Sequence, residues 1–225
     1  MAAHPFVFGE PMKLKRESLL LYLVTDSRFS KNMPFEQAVE QAIKGGVTIL
    51  QFREKHLHLK ERIPLAEKIG ALCRSYKIPF IINDDPNLAK KLNADGVHLG
   101  QEDMPIKQAR QILGDDKIIG VSAHTVAEAE KAFEDGADYL GVGAVFGSNT
   151  KTDTINLTPE LLGEIAGSVP IPCVAIGGVN ENNIHLLNNT GISGVAVVSG
   201  ILAKENPLSA AKKLKELAGE AVYGK

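Results

Sequence analysis

The stretch Asp135-Gly136-Ala137-Asp138-Tyr139-Leu140-Gly141-Val142 holds the pattern on which the fold turns: a glycine at the end of a helix, then a short apolar run. Glycine there accepts the left-handed backbone that stops a helix. The arrangement returns at Lys44-Gly45-Gly46-Val47, at Asn93-Ala94-Asp95-Gly96-Val97 and at Gly191-Ile192-Ser193-Gly194. Recurrence at about the spacing of one βα unit is an internal echo of that unit. Working outward, apolar runs rich in Val, Ile and Leu occupy 19–24, 48–52, 80–82, 96–99, 118–121, 139–142, 173–176 and 194–198. Such runs suit parallel strands covered on both faces. Helical patterns lie between them. Thr125-x-x-Glu128 reads as a capping box, and Thr158-Pro159 and Asn206-Pro207 each set a capping residue before a first-turn proline.

Eight βα units without a linker imply an α/β fold, a single (β/α)8 TIM barrel over 19–225. An N-terminal arm over 1–18 precedes it, where Pro5, Gly9, Pro11 and a basic run at 13–16 show no period and read as a solvated face. The rival, an open doubly wound sheet, calls for fewer strands and a glycine-rich turn after the first; Val24-Thr25-Asp26-Ser27-Arg28 is no such turn. A length of 225 residues fits a barrel, which takes about 200–250. Lys plus Arg number 25 against 27 Asp plus Glu, a formal charge of −2, so no general attraction to nucleic acid or anionic membrane is expected and any anion site is built locally. Cys73 and Cys173 lack metal-like spacing and read as buried small hydrophobes in a reducing cytoplasm. No apolar stretch approaches the ~18 residues of a membrane span, and Phe6-Val7-Phe8 is too short for a signal-peptide core.

In such a barrel the chemistry sits at the C-terminal strand ends. Along Thr48-Ile49-Leu50-Gln51-Phe52-Arg53-Glu54-Lys55, alternation puts Leu50 and Phe52 under the helices and Gln51, Arg53 and Lys55 toward the mouth. A buried arginine needs an anion, either an internal partner such as Glu54 or a ligand. The third run ends Asn83-Asp84-Asp85-Pro86, where Asp85 is placed to cap a helix and Asp84 has no structural task. Asp103, after the fourth, serves either as a helix cap or, with Asp84, as a magnesium ligand; magnesium takes one or two carboxylates plus phosphate oxygens. His98 and His124 read as satisfied structural residues. Ser122 ends the fifth run as a hydroxyl donor or a turn residue. The long segment 143–154, carrying Lys151, is a surface loop or a lid. Gly177-Gly178 and Val198-Ser199-Gly200 stand after the last two strands, the usual phosphate position of this fold.

The chain resembles thiamin phosphate synthases from Tyr22-Leu23-Val24-Thr25-Asp26 to Val197-Val198-Ser199. The motifs are Gln51-Phe52-Arg53-Glu54-Lys55, Ile82-Asn83-Asp84, the run from Asp95 to Asp103, Gly120-Val121-Ser122, Thr150-Lys151-Thr152 and Ala175-Ile176-Gly177-Gly178. The resemblance implies a transferase of thiamine biosynthesis that joins a hydroxymethylpyrimidine diphosphate to a thiazole phosphate (plain or carboxylated) and releases diphosphate. Gln51, Phe52, Arg53, Glu54, Lys55, Asn83, Ser122 and Lys151 would bind the pyrimidine diphosphate, with Arg53, Lys55, Ser122 and Lys151 catalytic. Asp84 and Asp103 would hold one Mg2+ per subunit. Ser148, Asn149, Thr150, Gly178, Val198 and Ser199 would bind the thiazole phosphate. The implied partners are small molecules, with a homodimer allowed. Ser148-Asn149-Thr150 after Gly147 departs from the family's Thr-Pro-Thr-like run, and Ala144 stands where proline is common. Two rivals share the barrel: a thiazole phosphate tautomerase, which has no use for a metal–diphosphate cluster, and a non-catalytic thiamin phosphate-binding protein, which could dispense with the carboxylates or the loop lysine.

Overall fold

The computed structural model describes residues 14–147 and 157–224. Eight parallel strands close on themselves in chain order: β1 (Leu21–Val24), β2 (Ile49–Phe52), β3 (Phe80–Asn83), β4 (Gly96–Leu99), β5 (Ile118–Ala123), β6 (Tyr139–Gly143), β7 (Cys173–Ile176) and β8 (Gly194–Val197). Around them lie α1 (Phe35–Lys44), α2 (Leu59–Tyr76), α3 (Pro86–Lys91), α4 (Ile106–Leu113), α5 (Val126–Glu134), α6 (Pro159–Ser168), α7 (Ser199–Leu202) and α8 (Pro207–Tyr223). The expected barrel is therefore present. One crossover differs: between β7 and β8 stands a 3₁₀ turn, Ile184–Leu187. The segment before it is rich in asparagine, and Asn183 Oδ1 accepts from the Asn180 N–H at 2.8 Å while Asn180 Oδ1 accepts from that of Asn182 at 2.9 Å. Side chains that bond their own backbone compete with a helix. A short extra helix, α7, follows β8.

Alternation along the strands splits the core into two layers. Leu21, Leu23, Leu50, Phe52, Phe80, Ile82, Val97 and Leu99 face the helices. Tyr22, Val24, Ile49, Ile81, Ile118, Tyr139, Val174 and Ala196 fill the barrel. Tyr22 and Tyr139 meet inside it with ring centroids 5.9 Å apart. Gly120 on β5 gives Tyr139 its room, because a Cβ there would run into the phenol ring. Both cysteines are free and buried, and burial pushes their thiols up to about 12, which suits small hydrophobes.

The local signals act as expected. Asp85 Oδ1 accepts from the Leu88 N–H at 2.9 Å, Thr125 from Glu128 at 3.1 Å, Thr158 from Leu161 at 3.3 Å and Asn206 from Ser209 at 2.9 Å. Each such cap is worth about 1 kcal/mol. The box at Thr125 is offset by one residue, with the Glu128 carboxylate taking the N–H of His124. Gly46, Gly136 and Gly191 have φ of +113°, +97° and +74° at their helix exits. At the fourth exit Asn93, with φ +48°, makes the turn, and Gly96 belongs to β4.

The N-terminal segment departs from a free arm. Residues 1–13 lie outside the described part, but Leu14 is 3% exposed and packs with Leu19 and Tyr22 in the interior layer. A 3₁₀ turn over Arg16–Leu19 takes in the expected start of the first strand, so β1 begins at Leu21. Arg16 is tied rather than merely solvated: Nη2 donates to the Pro170 carbonyl at 3.0 Å. Leu14→Ala should therefore lose about 2–5 kcal/mol in urea denaturation, as for a core leucine; a loss under about 0.5 kcal/mol would make the segment a surface appendage.

Candidate active site

All eight strands point the same way, so their C-terminal ends form one mouth. Two cavities open there. The larger, about 610 Å³, is lined by Arg53, Ser122, Gly177, Gly178, Val198 and Ser199 among others. The smaller, about 300 Å³, is lined by Arg53, Lys55, Arg62, Asn83, Asp84 and neighbours. Arg53 borders both. Its N–H donates to Thr25 Oγ1 at 2.9 Å, and its half-buried guanidinium makes no ion pair with any described residue. The internal partner Glu54 is turned away: its carboxylate, 2% exposed, accepts from the Ser27 N–H at 2.9 and 3.1 Å and from the Ser27 hydroxyl at 2.8 Å. A half-buried cation without an internal partner is set up for an anionic ligand.

The smaller cavity gathers opposite charges. Lys55 Nζ lies 2.6 Å from Asp84 Oδ2. Asp84 takes a left-handed φ of +63°, uncommon outside glycine, at the end of β3. Its carboxyl is within hydrogen-bonding reach of Asp103. Asp103 caps no helix: the N-cap of α4 is Pro105, and Asp103 Oδ2 instead accepts from the Gly100 N–H at 2.6 Å. Burial opposes ionisation of Asp84, yet hydrogen bonds from Lys55 and Asp103 hold its carboxyl below the usual range. Burial and the neighbouring Asp84 push the Asp103 carboxyl up, against the pull of Gly100 and Lys55. Two adjacent carboxyls offer the oxygen donors that a hard divalent cation takes. Among the described residues, a three-membered group, Asp26, Glu54 and His56, has ligand atoms within 4.8 Å of one another. Its carboxylates are already committed, Asp26 to Arg28 at 2.6 Å and Glu54 to Ser27.

Beneath the mouth a chain of hydrogen bonds crosses the barrel. Gln51 Nε2 donates to Tyr22 Oη at 3.1 Å, Tyr22 Oη meets Tyr139 Oη at 2.7 Å, Tyr139 Oη meets His98 Nδ1 at 2.9 Å, and His98 Nε2 meets Ser122 Oγ at 3.0 Å. Burial pushes both phenols above their ordinary value, so they stay protonated. With the Gln51 amide as donor, a single polarity satisfies every link: each phenol passes its hydrogen on, and His98 donates to Ser122 Oγ. The Ser122 hydrogen then points out of the chain, available to a ligand in the larger cavity. Gln101 Nε2 holds the Ser122 carbonyl at 2.6 Å. His98 and His124 are engaged structurally as expected, His124 Nδ1 lying 3.0 Å from Glu128.

The turn after β7 is fixed by crowding. Gly177 and Gly178 have φ of +102° and +68°; a Cβ on the first would lie 2.6 Å from Ala144 Cα and on the second 2.7 Å from the Phe146 carbonyl. The amides of Asn180 and Asn183 both hold the Gly178 carbonyl at 2.9 Å. The Val198-Ser199-Gly200 turn lines the same cavity.

The structure thus brings Arg53, Lys55, Asn83, Asp84 and Asp103 to one place and Ser122, Gly178, Val198 and Ser199 to the adjoining one. Gln51, 4% exposed, sits in the barrel interior below them. Phe52 and Glu54 also line the smaller cavity, and each has a structural contact besides. The ring of Phe52 packs under the helices at 6.4 Å from that of Phe80, and Glu54 braces Ser27. Ser148, Asn149, Thr150 and Lys151 lie outside the described residues. The reading of residues overlooked Tyr22 and Tyr139; the available signal was a tyrosine at an inward register of two strands that face each other across the barrel.

The sequence model of a family described as thiamine monophosphate synthase matches residues 21–201, all eight strands. A thiamine-phosphate synthase of Clostridium tetani is 47% identical over 203 residues, 90% of this chain and 97% of that protein. One from Clostridium acetobutylicum is 47% identical over 192 residues, covering 85% and 91%. The solved thiamine phosphate pyrophosphorylase from Pyrococcus furiosus superposes with a TM-score of 0.83 at 38% identity, over 92% of this chain and 98% of that one. With the match extending from the first strand to the turn after the last, the chain belongs to the thiamine monophosphate synthase family.

Proposed function

We propose that this chain carries the activity for which its relatives are named, joining a hydroxymethylpyrimidine diphosphate to a thiazole phosphate to give thiamine phosphate and free diphosphate. The observation that carries this reading is the pair of adjoining cavities that share Arg53, one lined by Lys55 and Asp84, with Asp103 beside Asp84, the other by the two small-residue turns. A monophosphate ligand alone would have no use for the smaller one.

In this reaction the bond from the pyrimidine methylene carbon to the diphosphate oxygen breaks, with its electron pair leaving on that oxygen. The lone pair of the thiazole nitrogen forms the new carbon–nitrogen bond. No proton needs to move, so the residues' work is placement and charge. Arg53, at the junction of the cavities, neutralises charge as it builds on the departing oxygen. Lys55 does the same further in. Ser122, held by His98, presents its hydroxyl where the two ligands meet. Lys151, by the resemblance to the family, would add a further cation. Mg2+, when held by Asp84 and Asp103, would neutralise further charge on the diphosphate. The pKa pattern of these two acids and the oxygen-only donor set fit that ion. The working partners are two small molecules. No described helix is long and apolar enough to cross a membrane.

Three measurements test this. Mixing both substrates should release diphosphate only when magnesium and the thiazole phosphate are both present; exchange of thiazole tautomers without release would favour an isomerase. Arg53→Ala and Lys151→Ala should each lower turnover by about 10²–10³ with the fold intact, the usual cost of one charge-stabilising donor; wild-type turnover would remove that residue from the mechanism. The third concerns pH. A carboxyl raised above its usual range, as in Asp103, costs stability increasingly as pH rises through its folded value. Asp84, lowered, contributes stability above the usual carboxylate range and loses it as pH falls through its folded value. Asp103→Asn should therefore raise the Tm of the metal-free protein at pH 8 and abolish the further rise produced by magnesium. An undiminished magnesium response would take Asp103 out of the metal site.

A further inference from the structure

Arg62, on α2, is held in a way that no internal contact accounts for. Its guanidinium has five N–H donors, and none has a hydrogen-bond acceptor among the described residues. Nε is shut off from solvent and unpaired. The one ion contact, Nη2 to Asp85 Oδ2 at 3.7 Å, is longer than a hydrogen bond, and Asp85 already caps α3 through Oδ1. Arg62 is also the fourth residue of its helix, where the helix dipole favours negative charge and disfavours a cation. Arg110 shows what a structural arginine looks like in this protein. At a similar exposure it lies 2.9 Å from Asp138 Oδ2 and donates to the carbonyls of Gly114 and Lys117. Arg62 has the burial of such a residue without its bonds.

The position of Arg62 says what would complete it. It lines the smaller cavity and not the larger, together with Arg53, Lys55 and Asn83. Arg53 marks the end where the two cavities meet, and therefore the end at which an organic group joined to a diphosphate would enter the larger one. Lys55 is drawn to Asp84 at 2.6 Å. Arg62 is left as the cation of this cavity that neither meets the larger cavity nor is hydrogen-bonded to a carboxylate. We infer that Arg62 binds the terminal phosphoryl group of the diphosphate, the end remote from the bond that breaks. It would then act in selecting a diphosphate over a monophosphate ester. This inference rests on the reading of the smaller cavity as the diphosphate site. It adds no chemical step, since Arg62 would hold the same group before and after the carbon–oxygen bond parts.

The test is titration calorimetry of the full-length protein with inorganic pyrophosphate in magnesium buffer, alongside thermal melting of the unliganded protein. Arg62→Met should weaken pyrophosphate binding roughly ten- to a hundredfold, the scale of a charged hydrogen bond. The unliganded Tm should stay level or rise, because an unsatisfied buried donor has been removed. Binding within twofold of wild type would overturn the inference. So would a lowered Tm that Asp85→Asn reproduces, the signature of a structural ion pair. Lys55→Met separates the two levels of the argument. If Lys55→Met loses binding and Arg62→Met does not, Arg62 alone is wrongly assigned; if neither loses it, the diphosphate reading of the cavity fails with it.

Discussion

Closure of eight parallel strands is the constraint on which everything else depends. Because every strand runs in the same direction, residues that end different strands, far apart in sequence, face one another across a single mouth. Lys55, Asp84, Asp103 and Ser122 come from four consecutive units and meet there. Closure also demands a filled interior. Tyr22 and Tyr139, too large and too polar for an ordinary apolar layer, are admitted because Gly120 yields space and because each phenol has hydrogen-bond partners. Buried polar groups are tolerable only when fully paired. That need links packing to chemistry: the chain that satisfies the phenols ends on Ser122 and orients its hydroxyl.

Electrostatics at the mouth follows a second rule. Charges with structural tasks are matched, as in Glu54 with Ser27, Asp26 with Arg28 and Arg110 with Asp138. Charges around the smaller cavity are mismatched. Arg53 has no ion pair among the described residues and Arg62 only a 3.7 Å contact with Asp85, while Asp84 and Asp103 crowd together. Such an arrangement is costly in the empty protein and becomes favourable when an anion and a cation arrive together. Sites that work on charged ligands are commonly less stable than the scaffold that carries them.

Much of this was legible in the chain. Short apolar runs, helix exits and caps set the barrel, because these signals are local and each has one dominant physical cause. Arg53, Lys55, Asp84 and Ser122 stood out because polar residues at strand ends of a barrel have few other reasons to be there. What escaped was non-local. Whether Glu54 pairs with Arg53 or with Ser27 depends on how the loop after β1 returns, which no spacing encodes. Asp103 could be told from a helix cap only once Pro105 was seen at the N-cap of α4. Leu14 read as part of a loose arm because a single leucine has no period, yet it seals the interior layer. The Tyr22–Tyr139 contact joins residues more than a hundred positions apart and became visible only with the strands in register.

The most direct test of the central claim is a crystal structure of the protein with thiamine phosphate, inorganic pyrophosphate and magnesium. The account predicts pyrophosphate in the smaller cavity against Arg53 and Lys55, the metal between Asp84 and Asp103, and the phosphate of thiamine phosphate at the Gly178 and Ser199 turns. Pyrophosphate bound elsewhere, with no metal between Asp84 and Asp103, would contradict it.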